Sequence, residues 1–361
     1  MFKYSLSIIC FLIIISCKEN TLKIYNSTDK LLKYTGRIEQ FTDSTTALIG
    51  SAASLEFNTK GDSVLLFLRS EVTPRNYVVL TINDEYQERY QIKGDTVNKI
   101  TLQLPKKEFN KIGIHKATEA ASGNIIIHKI EAEKLVPLNG ENSVLIEFIG
   151  DSITCGALAD NSDIDCNEGE YLDQHNAYLA YGPRLARTIN ADYMLSSVSG
   201  IGMYRNWNDE NIEEPIMPQV YNNLYLNTDD SKPYKSNFKP DIVSICLGTN
   251  DMSDGDGIKE RLPFDTKKYT DNYIKFVEAI FNKNPNVRIA LLNSPMVSGD
   301  KNDTLVSCLK TVQNHFKDKD IVLFQFDKLF VNGCNNHPSV EDHKVLADQL
   351  TPFFKNILSK K

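Results

Sequence analysis

The hydrophobic pattern of this 361-residue chain changes near residue 140, and this change limits the folds that the chain can adopt. Before that point, short runs rich in β-branched and aromatic residues are separated by turn-forming clusters, without amphipathic helical segments between them. Such spacing predicts an antiparallel β-sandwich. After it, strand-like runs alternate with helical ones, which predicts a parallel sheet with helices on both faces. We therefore expect a small all-β domain followed by an α/β domain.

The predicted elements follow from these runs. Strands of the first region are predicted at 54–57, 63–68, 77–82, 100–104 and 125–130, with turns at 58–62 and at Asn83-Asp84. Strands of the second region are predicted at 144–149, 193–198, 241–247, 288–293 and 321–326, and helices at about 175–189, 266–281, 304–316 and 340–358. Ligands of such sheets bind at the carboxyl ends of the strands, so functional residues are expected in the loops that follow them.

The amino terminus has the pattern of an export signal. Lys3 precedes an apolar run at 6–15 that is too short to span a bilayer as a helix. Residues 14–17, Ile-Ile-Ser-Cys, resemble a bacterial lipobox. We predict a lipoprotein signal peptide at 1–16 and lipid attachment at Cys17; a plain secretory signal with an incidental cysteine is the alternative. The protein would then be exported and lipid-anchored to the bacterial outer membrane, on its periplasmic or its cell-surface face.

The rest of the chain divides into a predicted β-sandwich at 17–138 and a predicted α/β domain at 141–361. The formal net charge is −7 and no basic tract stands out, so nucleic acid is not an expected partner.

Five cysteines follow the predicted lipidation site, and an exported protein can pair some of them. Cys246 falls in a predicted buried strand and is interpreted as a packed thiol. The pairs to test are Cys155 with Cys166, and Cys308 with Cys334, although sequence alone does not establish connectivity. No Cys/His spacing resembles a zinc site.

A serine after the first strand of the second region is the candidate nucleophile. The strand is followed by Gly150-Asp151-Ser152, where a sharp turn into a helix would expose the serine hydroxyl. The Ser152 amide would lie at a helix amino terminus, which favours developing negative charge. Asp151 is expected to hold this turn by a hydrogen bond.

A serine hydroxyl needs a base to take its proton. Of the six histidines, His337 is the one in a loop after the last predicted strand and before the last helix, so it is the candidate base. Ser339 is expected to cap that helix, with Asp342 three residues further on. His343 falls inside the helix and is interpreted as a surface residue. His175 is not assigned a role.

Two further loops after predicted strands offer donors for the oxyanion of a tetrahedral intermediate. The glycine at Gly200 lets a backbone amide approach closely, and the Asn250 side chain can donate without carrying charge. Each taken alone is an ordinary turn residue. Together with Ser152 and His337, at the ends of successive strands, they form a set that chance rarely supplies.

This ordered set resembles the SGNH hydrolase superfamily over about residues 143–361. The resemblance implies that Ser152 is the nucleophile and that His337 is the base. It assigns the oxyanion hole to the Ser152 amide, Gly200 and Asn250. It also implies a flavodoxin-like, three-layer α/β hydrolase fold.

Further segments resemble the second carbohydrate esterase family: 150–156, 178–182, 204–207, 217–221 and, in the sandwich, 34–37. A small jelly-roll sandwich before the hydrolase domain is also the architecture of that family. The resemblance implies a serine esterase that removes O-acetyl groups from plant polysaccharides such as xylan and mannan. It also implies that no metal or other cofactor is used and that the partner is an acetylated polysaccharide.

One position departs from the superfamily pattern. Many members have an aspartate three residues before the histidine, where it orients the imidazole, whereas this chain has Cys334. We therefore interpret the site as a Ser-His dyad in which a backbone carbonyl orients His337, with that of Asn335 as one option. Asp327, at the end of the last strand, is better interpreted as a turn residue than as a substitute.

Two aromatic residues after Gly200, Trp207 and Tyr204, are candidates for substrate binding because apolar sugar faces pack on aromatic rings. For Trp207, the only tryptophan, an anchoring role in the core under a long loop is an equal alternative.

Two functions of other classes stay open. A lipid or thioester hydrolase on the same scaffold would need a larger apolar cleft. A non-catalytic, glycan-binding surface lipoprotein would need the hydrolase residues to have been lost, yet all four candidate residues are present.

Overall fold

The computed structural model describes residues 21–138, 140, 144–235 and 237–359. The predicted signal peptide at 1–16 and the predicted lipidation site Cys17 lie outside the described residues. The described residues form an antiparallel sheet in the first part of the chain and a parallel sheet in the second. The predicted order, an all-β region before an α/β region, is therefore confirmed. None of the helices in these described segments is long and apolar enough to cross a membrane.

Ten antiparallel strands make up the first sheet. They are β1 Lys23–Asn26, β2 Lys33–Thr35, β3 Ile38–Gln40, β4 Thr46–Leu48, β5 Ser54–Ser70, β6 Arg75–Ile82, β7 Glu85–Lys93, β8 Asn98–Gln103, β9 Asn110–Lys116 and β10 Ile125–Val136. Alternate residues of these strands point into one apolar core, as the period of a strand requires. Among them are Leu55, Phe57, Val64, Leu66, Val78, Leu80, Ile112 and Ile114.

The long strand β5 pairs with several other strands of this sheet. Its residues 54–59 pair with β9, and its residues 63–68 pair with β8. Between them Gly61 has a φ of +108°, a backbone conformation that favours glycine. The predicted turn at 58–62 is therefore wrong, because residues 54–70 form one continuous strand with a register shift against β10 at this point.

The second sheet has five parallel strands in the order β12-β11-β13-β14-β15. They are β11 Leu145–Gly150, β12 Asp192–Ser197, β13 Ile242–Cys246, β14 Arg288–Leu292 and β15 Ile321–Phe324. The helices are α1 Ser152–Cys155, α2 Tyr181–Thr188, α3 Met217–Val220, α4 Thr266–Lys283, α5 Gly299–His315 and α6 Val340–Ser359. One apolar cluster joins α4 and α5 to the sheet and another joins α2 and α6 to it, which makes three layers. This is the flavodoxin-like strand order, with its switch point between β11 and β13.

The predicted helix at 175–189 is only partly correct. The α-helix α2 covers Tyr181–Thr188, and two 3-10 turns, Tyr171–Gln174 and Ala177–Leu179, precede it. The Ala177 N–H donates to the carbonyl of Ala117 in the sandwich domain at 2.9 Å. In a helix that included Ala177, its N–H would donate to a carbonyl of the same helix. Here it donates to the sandwich domain instead, and α2 begins later.

A buried arginine connects the two domains. Arg37, between β2 and β3, donates to Oγ of Ser196 at 3.0 Å and to the carbonyl of Tyr221 at 2.9 Å. Its guanidinium also donates to the Asn223 carbonyl at 2.8 Å and lies 4.1 Å from the ring centre of Tyr234. Burial lowers the pKa of Arg37. The sandwich is thereby attached to β12 and to the segment that follows it.

Candidate active site

The turn after β11 presents Ser152 at the first position of α1. Asp151 precedes the helix in an extended conformation, and its Oδ1 accepts from the Ile153 N–H at 3.0 Å. The first N–H groups of a helix have no partner inside it. Asp151 therefore holds the turn as expected, and the Ser152 amide lies at a helix amino terminus.

The His337 imidazole lies between Ser152 and a backbone carbonyl. Its Nε2 is 3.0 Å from Oγ of Ser152, and its Nδ1 is 3.1 Å from the carbonyl oxygen of Asn335. A carbonyl only accepts hydrogen bonds, so Nδ1 carries the proton and Nε2 is left to accept from the serine hydroxyl. Asp327 is exposed and is not brought to the imidazole.

The loop before His337 is held by several contacts. Asn335 and Asn336 have φ angles of +47° and +57°, and the Cys334 N–H donates to the Leu158 carbonyl at 2.9 Å. Cys334 is disulfide-bonded to Cys166. This geometry aims the Asn335 carbonyl at the imidazole.

The disulfide differs from both pairings that the sequence suggested. Cys155, Cys246 and Cys308 are buried free thiols, so neither Cys155–Cys166 nor Cys308–Cys334 forms. Cys246 is a packed thiol in β13, as expected. The observed pair is separated by 168 residues, and only the folded chain brings its two segments together.

The two predicted oxyanion donors lie in the same cleft as Ser152 and His337. Gly200, in the loop after β12, has a φ of +76°. The Asn250 side-chain amide, after β13, donates to the Ile201 carbonyl at 2.8 Å and to Oδ2 of Asp151 at 3.2 Å. The cleft has a volume of about 670 Å³. The tertiary structure thus brings together all four residues that the sequence selected.

Burial sets the charge states around this cleft. It lowers the pKa of His337, and the hydrogen bond to the Asn335 carbonyl offsets this only in part. It raises the pKa of Asp151 to about 7. A neutral imidazole at neutral pH is the form that can accept a proton. Within the described parts of the chain, no group of three or more His, Cys, Asp or Glu side chains is placed to hold a metal ion.

The structure separates the two aromatic candidates. Trp207 is 43% exposed and lines the cleft, and its N–H donates to the Gly200 carbonyl at 3.0 Å. Tyr204 is only 8% exposed, and its hydroxyl accepts from the Asp265 N–H at 3.0 Å. Its ring packs edge-on against Phe264 in the core. Tyr204 is therefore a core residue and is not brought to the cleft.

Sequence reasoning missed two residues around the cleft. Tyr171, 48% exposed, lines it from the segment between α1 and α2. Asp251, fully buried, accepts from the backbone N–H groups of Met203 and Tyr204 and so fixes the loop that carries Trp207. The position of Asp251 beside Asn250 is a signal that could have found it. The polar insertion at 160–173 could be expected to rim a cleft, but nothing in it singled out Tyr171.

The prediction that His343 is a surface residue is wrong. It is fully buried in α6, and its Nδ1 accepts from the Tyr181 N–H at 3.3 Å. Burial lowers its pKa to about 3. His343 shares a helix face with the buried Leu346 and Leu350, so its spacing from them could have indicated burial. Ser339 and Asp342 cap this helix as predicted.

Comparison with known proteins agrees with this geometry. Residues 148–333, just over half of the chain, match the GDSL-like lipase/acylhydrolase family. The chain belongs to this family. Residues 34–138 match the carbohydrate esterase 2 N-terminal domain. The resemblance to family 2 carbohydrate esterases, inferred from the motifs, is thus confirmed.

The chain is similar to named relatives in sequence and to solved structures in fold. An acetylxylan esterase/glucomannan deacetylase of Cellvibrio japonicus (strain Ueda107) is 32% identical over 216 residues, 57% of each chain. The chain therefore spans less than two thirds of the length of this relative. The structure of a family two carbohydrate esterase from Cellvibrio japonicus has a TM-score of 0.82 at 21% identity, covering 93% of this chain and 98% of that one. The structure of a carbohydrate esterase family 2 enzyme plus carbohydrate binding domain from Corynascus thermopiles (Myceliophthora fergusii) has a TM-score of 0.78 at 26% identity. The match covers 91% of this chain and 99% of that one.

Proposed function

We propose that this protein is a serine carboxylic-ester hydrolase that removes O-acetyl groups from plant polysaccharides such as acetylated xylan or mannan. The observation that carries the proposal is the 3.0 Å contact between Nε2 of His337 and Oγ of Ser152, at a helix amino terminus in an open cleft. A serine next to an unprotonated imidazole nitrogen is an activated nucleophile. The named activity of the Cellvibrio japonicus relative supports the choice of an acetyl ester.

The proposed reaction has two steps. Nε2 of His337 takes the hydroxyl proton as Oγ of Ser152 attacks the acetyl carbonyl, and it then gives this proton to the departing sugar oxygen. In the second step the same nitrogen takes a proton from the water that attacks the acetyl-enzyme, and returns it to Oγ of Ser152 as acetate leaves. The Asn335 carbonyl accepts from Nδ1 throughout, so it stabilises the imidazolium that forms in each step.

The oxyanion of each step would be held by three N–H donors. These are the backbone amides of Ser152 and Gly200 and the side-chain amide of Asn250. The longer hydrogen bond of that side chain, 3.2 Å to Asp151, is the one that an oxyanion would replace. Fixed donors in such a cleft stabilise developing charge without reorganising.

The aromatic walls of the cleft support a sugar substrate. Trp207 and Tyr171 both line the cleft that holds Ser152, and both side chains are substantially exposed. Exposed rings offer flat apolar surfaces on which the faces of a pyranose can pack. We assign Trp207 as the substrate-binding residue predicted from the sequence.

The experiment that tests this proposal is acetate release from acetylated xylan and acetylated glucomannan by the wild type and by Ser152→Ala. We expect the substitution to lower the rate by about 10³-fold or more while the fold is retained. Ser307→Ala is a matched control, since Ser307 is an exposed serine of α5 outside the cleft. Acetate release by pure Ser152→Ala at the wild-type rate would overturn the assignment.

Acyl-chain length separates the esterase from the other candidate classes. A short-chain preference in a comparison of acetyl with octanoyl esters supports deacetylation, whereas faster octanoyl hydrolysis would favour a lipase-type enzyme. Binding of polysaccharide with no hydrolysis of any ester would favour a glycan-binding protein.

We also propose that the protein is exported and lipid-anchored at Cys17. The support is the signal pattern at 1–16, together with the Cys166–Cys334 disulfide, because disulfides persist in oxidising compartments. Labelled palmitate should enter the wild type and not Cys17→Ser. Equal labelling of the two would contradict the anchor.

A further inference from the structure

One carboxylate of the sandwich domain reaches the loop that carries Gly200. Glu119 follows β9 and is only 3% exposed. Its Oε2 accepts from the Ser199 N–H at 2.7 Å. Ser199 directly precedes Gly200 in the loop after β12, so this hydrogen bond crosses from the sandwich to the candidate oxyanion site.

Glu119 is itself firmly held. The backbone carbonyl of Glu119 accepts from Nζ of the buried Lys116 at 2.5 Å. Its Oε1 lies 3.6 Å from Nε2 of His175, and Sγ of Cys155 donates to Oε2 at 3.6 Å. Burial alone would raise the pKa of Glu119, but the nearby His175 imidazole and the Ser199 N–H outweigh it and keep the pKa below the usual value. The carboxylate therefore stays charged and fixed in the interior.

The peptide that carries the Gly200 N–H lies between two peptides that are each held by a hydrogen bond. On one side the Ser199 N–H is bonded to Glu119, and on the other the Trp207 N–H donates to the Gly200 carbonyl at 3.0 Å. The Gly200 N–H itself donates to no acceptor within the described segments. A donor that is fixed and unpaired before substrate arrives is the kind that stabilises an oxyanion most.

We propose that Glu119 is a positioning residue for the oxyanion site. It fixes the Ser199 peptide so that the Gly200 N–H faces the acyl oxygen. The inference rests on the proposed function. It also gives the sandwich domain a part in the reaction, because that domain supplies a contact that the α/β domain lacks.

The test compares three substitutions at Glu119 by kcat and KM on a small acetyl ester. Glu119→Gln keeps the length of the side chain and an oxygen that can accept from the Ser199 N–H. Glu119→Asp keeps the charge, but its side chain is one methylene too short to reach the Ser199 N–H. Glu119→Ala removes both the charge and the accepting oxygen. We expect the kcat of Glu119→Gln to stay within about threefold of the wild-type value. The kcat of Glu119→Asp and of Glu119→Ala should fall about 10- to 100-fold, with KM nearly unchanged. This loss is smaller than that for removing an oxyanion donor itself.

A second carboxylate of the sandwich serves as the control. Glu39, in β3, contacts Tyr225 and Lys232 of the α/β domain. Glu39→Gln perturbs that interdomain contact without touching the Ser199 loop, so its kcat should equal that of the wild type. Titration of Ser152 with a serine-directed phosphonate gives the folded, competent fraction of each variant, so that kcat is counted per active site.

The outcomes separate this inference from the proposed function. Loss of kcat in Asp and Ala with recovery in Gln supports the positioning role. Two results would overturn this inference alone while the wild type is active. One is a Glu119→Ala variant whose kcat per titrated site equals that of the wild type. The other is a Glu119→Gln variant that loses as much kcat as Glu119→Ala. A wild type that hydrolyses no acetyl ester and does not react with the phosphonate would overturn the proposed function, and this inference with it.

Discussion

The disulfide between Cys166 and Cys334 joins the segment after α1 to the loop that carries His337. That segment is itself held on the sandwich, because Asp173 accepts from both Nε and Nη2 of Arg75 at 2.9 and 2.5 Å. The position of the imidazole thus depends on a chain of contacts that begins in the other domain. Many members of the superfamily that this chain resembles have an orienting aspartate at the position of Cys334, whereas here that position forms a disulfide.

Removal of this disulfide should lower both stability and activity. Cys166→Ser is expected to reduce the free energy of unfolding by about 2 to 5 kcal/mol, because the bond closes a long loop in the unfolded chain. We expect kcat to fall as well, since the Asn335 carbonyl loses its fixed place. Urea unfolding and kcat, with and without reductant, measure both effects. The double variant Cys166→Ser/Cys334→Ser should have the same stability and kcat as the single variant. If Cys166→Ser kept the wild-type stability and kcat, the disulfide would not be what holds the His337 loop.

The acid limb of the activity profile should report His337. Burial holds its pKa below the usual imidazole value, so the neutral, proton-accepting form persists to lower pH. Activity is lost as pH falls through that lowered pKa. The midpoint of kcat/KM on the acid side should therefore lie below about 6.5. Asp151, whose pKa is raised to about 7, is another titrating group beside the cleft. In Asp151→Asn the midpoint of the acid limb should stay where it is in the wild type, even if the maximal rate falls. A midpoint above 7 would contradict the prediction.

Asn250→Ala should lower kcat more than it changes KM. The side-chain amide is the proposed oxyanion donor, and loss of one such donor costs about 10²- to 10³-fold in kcat. The matched control is Asn272→Ala, because Asn272 also donates to a carbonyl, that of Met203, but does not line the cleft. Steady-state kinetics on a small acetyl ester compares the two. Equal losses in both variants would argue against an oxyanion role.

Trp207→Ala should affect polysaccharide more than small esters. Loss of the exposed ring is expected to raise KM for acetylated xylan by about tenfold, which corresponds to about 1.4 kcal/mol. Hydrolysis of a small acetyl ester should change less, because that substrate has no pyranose face to pack on the ring. Equal effects on the two substrates would place Trp207 in a structural role.

Tyr204→Phe should show the opposite behaviour. Its hydroxyl accepts from the Asp265 N–H at the start of α4, so the substitution leaves this half-buried donor without that partner. The expected cost is about 0.5 to 1.5 kcal/mol in the free energy of unfolding. KM for polysaccharide should stay at the wild-type value. Thermal unfolding measures the change in stability, and kinetics on acetylated xylan measure KM. A raised KM would indicate that Tyr204 binds substrate.

Local patterns predicted the architecture well where burial is regular. The five parallel strands lie within two residues of their predicted ends, because each is a short apolar run bounded by turn residues. The continuity of β5 was missed since Gly61 and its polar neighbours have the composition of a turn. Residues 58–60 nevertheless pair with β10, and residue 63 pairs with β8. Composition reports the local preference of a segment and does not report its hydrogen-bond partners.

The sequence by itself determined which residues end the strands of the α/β domain, and so which side chains meet at one edge of the sheet. Parallel pairing brings those ends together, which is why Ser152, Gly200 and Asn250 could be chosen before the fold was known. Only the tertiary structure decided that Cys334 pairs with Cys166 and that Glu119 reaches Ser199. These contacts join segments 168 and 80 residues apart. They depend on how the two domains pack, and no local spacing encodes that packing.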